Sequence, residues 1–106
     1  MPTDRNSWLL VEIMVEERVC IQASVTGRVQ GVFFRVETRN AALDMGLSGW
    51  VKNLPDGSVL TQLCGQPAQV DAMMGWLSHG PALARVDGVE RIEVECMELS
   101  GFDILP

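Results

Sequence analysis

The feature that most constrains this chain is a change of hydrophobic period across one short glycine-punctuated stretch. Val19, Ile21, Ala23 and Val25 alternate with Cys20, Gln22, Ser24 and Thr26, the period of two that half-buries a β-strand. The strand runs straight into Gly27, and the loop "GRVQGVF" follows. Beyond it Phe34, Thr38, Ala41, Ala42 and Met45 recur at the spacing of an amphipathic helix, which Gly46 stops. Strand, loop and helix form one unit, and the rest of the chain has to pack around it.

The remaining elements follow from the same patterns. "LSGWVKN" sets Leu47, Gly49 and Val51 on one face against Trp50 and Lys52, "LPDG" supplies a turn, and Val59, Thr61 and Leu63 resume the alternation, so a hairpin is expected. Pro67, the series Val70, Met73, Met74 and Leu77, and the Gly80-Pro81 stop predict a second helix. Ile92, Val94 and Cys96 alternate with Glu93 and Glu95 as a further strand, with the acidic residues from Asp87 to Glu98 on its solvated side. A brief strand around Phe102 and Ile104 ends the chain. The order β-α-β-β-α-β predicts an α+β, ferredoxin-like split βαβ sandwich: an antiparallel sheet with two helices on one face and a short fifth strand. That topology carries binders and enzymes alike, so function has to be read from the site.

At 106 residues the chain is long enough for one core. Residues 18–106 read as a single domain, and "MPTDRNSWLLVEIMVEE" before it as a flexible N-terminal extension without a clear period. Its apolar run is too short to span a bilayer and lacks a basic flank, so neither a membrane partner nor a secretory leader is expected. Fourteen acidic against eight basic residues give a net charge of -6, which repels nucleic acid and anionic membranes. Cys20, Cys64 and Cys96 form no CxxC pair, and with a single histidine, His79, no metal site is expected. Reduced thiols and a cytoplasmic location are the consistent reading.

A loop between a strand's end and a helix's start points backbone N–H groups at an anion, and the helix dipole adds to the attraction. Gly27 and Gly31 permit positive φ and close approach of a phosphate. Arg35, on the first turn, can donate two parallel hydrogen bonds to phosphate oxygens, or stand as an ordinary solvated residue. Arg28 reads as a peripheral substrate contact at most. Gln30 either turns its amide to the ligand or braces the loop. Trp50, Trp76, Met73 and Met74 read as packing residues, and His79 as a helix end.

The runs "VTGRVQGVFFR" and "GLSGWVKNLPDG" closely resemble the two signature segments of the acylphosphatases, which hydrolyse carboxyl-phosphate mixed anhydrides. The resemblance extends from about Val19 to Leu105 and takes in "GPALARV" and the terminal "GFDIL". It implies a phosphate-binding loop of Arg28, Val29, Gln30, Gly31, Val32, Phe33 and Phe34, a phosphate-binding Arg35 and a water-orienting Asn53. It implies a small acyl phosphate as substrate, acetyl or carbamoyl phosphate among the candidates, with no cofactor, no metal and a monomeric enzyme. Leu60 departs from the acidic residue many relatives carry there. Two other readings compete: a non-catalytic phosphate or acyl-phosphate binding module, and an RNA-binding sheet, for which the net charge is unfavourable.

Overall fold

The computed structural model describes residues 18–106; the reading of residues 1–17 as an extension lies outside the described residues. The elements are β1 (Val19–Arg28), α1 (Phe34–Asp44), β2 (Ser48–Asn53), β3 (Val59–Gly65), α2 (Pro67–His79), β4 (Arg85–Val94) and β5 (Phe102–Ile104). The strands form one sheet in the order β4-β1-β3-β2-β5. Among the described residues no helix is long and apolar enough to cross a membrane.

β1 lies inside the sheet, between β4 and β3, because its alternation fits both neighbours. Ile21, Ala23 and Val25 are fully buried and share a core with Val51, Val59 and Leu63 from the sheet and with Phe34, Ala42, Val70, Met73 and Leu77 from the helices. The ring of Phe34 meets that of Trp76 at 5.9 Å between centroids, tilted by 58°, a favourable aromatic geometry. Burying a side chain of that size contributes about 1.5–3 kcal/mol. Trp76 and Met74 pack against this core, as their spacing predicts.

The expected fold class holds, with one refinement: β1 pairs antiparallel with β3 and β4, and β3 with β2, while the short β5 lies parallel to β2 with Gly49 opposite Phe102. The chain leaves β4 at one edge and joins the other edge at β5, and β5 was too short to reveal its direction in the sequence. One expectation needs correcting: β4 starts earlier than expected, at Arg85, and ends before Cys96. Arg91 stands opposite the buried Ala23 and reaches Asp71 on α2 at 3.1 Å, with Glu93 beside it, while Ile92 is 60% exposed. At a sheet edge a helix's carboxylate can draw a charged pair to the helical side and leave the apolar residue outside.

Gly27 sits where the β1–β4 register shifts, with φ of 126°. A Cβ there would run into the Arg85 carbonyl. Its first duty is therefore close strand approach, not room for a ligand.

Candidate active site

The loop between β1 and α1 is shaped by two residues of positive φ, Gly31 at 74° and Phe33 at 61°, on either side of Val32. Alternating backbone handedness curls successive N–H groups towards one side, the arrangement of an anion-binding nest. A bulky residue in this region is uncommon and costs on the order of 1–3 kcal/mol, the kind of strain that concentrates at functional sites. Phe33 is also 72% exposed, whereas Val29, Val32 and Phe34 send their side chains into the core. Of those three only the backbone is available to a ligand. A Cβ on Gly31 would meet nothing within 4 Å, so the space above it is open.

The first hydrogen bond of α1 runs from the Glu37 N–H to the Phe33 carbonyl at 3.1 Å. The N–H groups of Phe34, Arg35 and Val36 precede it and have no partner within the helix, so they are free to meet an anion at the positive end of the helix dipole. Arg35 is half-buried, and its Nη1 donates to the Leu105 carbonyl at 2.8 Å. The Leu105 N–H in turn donates to the Val51 carbonyl at 2.8 Å, so the segment after β5 orients the guanidinium from a fixed position.

Asn53, the last residue of β2, faces the same place. Gly31, Phe33, Arg35, Asn53 and Ile104 line one depression of about 240 Å³. The Asn53 Oδ1 atom is buried and has no hydrogen-bond partner among the described residues. An orphaned buried acceptor is costly unless a donor completes it, so this atom is suited to holding a water or a ligand group.

Gln30 settles between its two readings. Its Nε2 donates to the carbonyls of Leu54 and Ser58, both at 2.8 Å, so the amide braces the loop against the turn after β2. Nothing in the sequence indicated that one side chain would join the two motifs. The turn is closed by Leu54 N–H to the Ser58 carbonyl at 2.9 Å. The Asp56 carboxylate accepts from the Ser58 hydroxyl at 2.6 Å and from its N–H at 2.9 Å. Those two bonds, the hydroxyl's first, hold the Asp56 carboxyl below its ordinary range.

Arg28 is the last residue of β1, exposed and opposite Arg85, so it belongs to the strand's end and not to the turn of the loop. Leu60 lies opposite Lys52 on the sheet face away from the helices, where the Lys52 amine sits 5.4 Å from the centre of the Trp50 ring. The larger depression, about 440 Å³ and lined by Arg18, Ser48, Cys64 and Gln69, lies at the other end of the sheet from Asn53.

The acylphosphatase family model matches residues 21–104, which takes in the β1–α1 loop, Arg35 and Asn53. The chain belongs to the acylphosphatase family. An acylphosphatase from Photobacterium profundum is 45% identical over 87 residues, covering 82% of this chain and 97% of that relative. An acylphosphatase structure from Coxiella burnetii superposes with a TM-score of 0.83 at 37% identity, covering 87% of this chain and 97% of that one. The fold also matches 12% of full-length HypF in its phosphate- and nucleotide-bound form, over 84% of this chain at 26% identity and a TM-score of 0.75. Acylphosphatases are hydrolases that act on small acyl phosphates, and the family membership makes this chain a hydrolase of that kind.

Proposed function

We propose that this acylphosphatase binds the phosphoryl group of its substrate in the β1–α1 nest and on Arg35, and that Asn53 orients the attacking water. The observation that carries the reading is the shared depression: cradle, cation and an amide oxygen without a partner among the described residues meet in one place.

An acyl phosphate leaves as a weakly basic carboxylate, so no strong general acid is needed. Catalysis reduces to positioning and charge stabilisation. As the bond loosens, negative charge spreads over the equatorial phosphoryl oxygens, where the N–H groups of Gly31 to Val36 and the Arg35 guanidinium meet it. The Asn53 Oδ1 accepts a hydrogen bond from the water and turns its lone pair to phosphorus; an amide is too weak a base to take the proton. The proton passes to a phosphoryl oxygen of the substrate, and the bond to the carboxylate breaks in line.

The chemistry needs no metal in this reading. None of the residues lining the depression is acidic, and Mg²⁺ or Ca²⁺ would require oxygen ligands of that kind. The acyl group extends over Phe33 towards a depression bordered by Val32, Pro81 and Leu83, with Glu37 at its edge. A monomer acting in the cytoplasm without nucleic acid belongs to the same proposal. The net charge of -6 speaks against a polyanionic partner.

The match to 12% of full-length HypF, a longer chain, supports the alternative of a phosphate-binding module, and the experiment separates the two. Arg35→Ala should abolish most hydrolysis of an aromatic acyl phosphate and weaken inhibition by inorganic phosphate. Unchanged phosphate inhibition would remove Arg35 from the site. Phosphate binding without turnover in the parent protein would favour the module.

A further inference from the structure

At the end of the sheet remote from Asn53, all three cysteines converge. Cys20 on β1 is paired in register with Cys64 on β3, with Cα atoms 4.2 Å apart. Cys96, two residues beyond β4, turns back so that its Cα lies 5.1 Å from that of Cys20. The Cys20 sulfur contacts the sulfurs of both Cys64 and Cys96. A sulfur forms one disulfide at a time. The two linkages are therefore mutually exclusive and share Cys20.

The three thiols differ in access. Cys20 is 2% exposed and Cys64 1%, whereas Cys96 is exposed and stands in the segment between β4 and β5. Attack on a disulfide needs an in-line approach to a sulfur, which burial denies to Cys20 and Cys64. Of the three, Cys96 is the one exposed to solution; Cys64 borders the depression of about 440 Å³ but is itself only 1% exposed.

We propose that the cysteines form a disulfide relay in which Cys96 is the entry thiol for a low-molecular-weight disulfide, Cys20 the shuttle and Cys64 the buried terminus. The Cys96 thiolate attacks the small disulfide, forming a mixed disulfide and releasing one small thiolate. The Cys20 thiolate attacks the Cys96 sulfur, forming Cys20–Cys96 and releasing the second. The Cys64 thiolate then attacks Cys20, forming Cys20–Cys64 and returning Cys96 as a thiolate. Two protein thiols are oxidised, the small disulfide is reduced to two thiols that take up their protons, and the last exchange involves no net oxidation. This relay does not depend on the acyl-phosphate reading.

The test starts from reduced protein exposed to oxidised glutathione, quenched by alkylation at intervals and mapped by mass spectrometry of its peptides. The relay requires glutathione on Cys96 first, then Cys20–Cys96, then Cys20–Cys64. Cys64→Ser should stop at Cys20–Cys96, and Cys96→Ser should slow formation of Cys20–Cys64 by about tenfold or more. Folding of each variant is checked by wild-type hydrolysis of an aromatic acyl phosphate, since no cysteine lies at that site. Oxidation of Cys96→Ser as fast as the parent, or first adducts on Cys20 or Cys64, would overturn the relay.

Discussion

The Gln30 side chain donates a 2.8 Å hydrogen bond to the Leu54 carbonyl, joining the anion cradle to the residue that follows Asn53. A second bond of the same length to the Ser58 carbonyl makes the link a two-point brace. Cradle and water-orienting residue come from different strands, so their relative position depends on this amide as much as on the sheet. Gln30→Ala removes one donor from each of two carbonyls that keep a backbone partner, the Gly57 N–H on Leu54 and the Leu54 N–H on Ser58, at about 0.5–1.5 kcal/mol per lost bond in stability. Its kcat should fall more than its KM rises, because the water is misplaced while the phosphate cradle persists. Thermal unfolding and steady-state kinetics on the one variant check both effects.

Gly27 and Gly31 should respond differently to the same substitution. Both have positive φ, so alanine at either costs on the order of 1–3 kcal/mol. At Gly27 the added methyl also meets the Arg85 carbonyl, whereas at Gly31 it meets nothing. Gly27→Ala should therefore lower the melting temperature more, and Gly31→Ala should lower activity more by placing a methyl over the cradle. Denaturation and phosphate inhibition measured side by side decide this.

The turn after β2 carries a pH dependence. The Asp56 carboxyl is held low by the Ser58 hydroxyl and N–H, so its contribution is full above the ordinary carboxylate pKa of about 4 and is lost as pH falls towards the lowered value. Asp56→Ala should melt below the parent at pH 7, and the gap should narrow as the pH drops below about 4. Melting curves across that range read it directly.

The β1–loop–α1 unit and the hairpin were legible because period and punctuation are local properties. The convergence of Arg35 and Asn53 was expected only through the family resemblance, since nothing local ties two motifs so far apart. What stayed hidden was relational. The αL backbone of Phe33 looks like an ordinary aromatic in the sequence, and the Leu105 carbonyl that orients Arg35 carries no side-chain signal. Cys20, Cys64 and Cys96 have uninformative spacings because they meet through the β3-β1-β4 order of the sheet, which no local pattern shows. The edge strand β4 misled for a similar reason: Asp71 on a helix decides which side Arg91 takes.

The most direct test of the central claim is hydrolysis of an aromatic acyl phosphate in the presence of chelator, by the parent and by Asn53→Ala. Inhibition by inorganic phosphate is measured on both proteins. Asn53 as the water-orienting residue requires metal-independent turnover in the parent, a loss of roughly 10²-fold or more in kcat for the variant, and nearly equal phosphate inhibition. Turnover retained by Asn53→Ala would contradict the account.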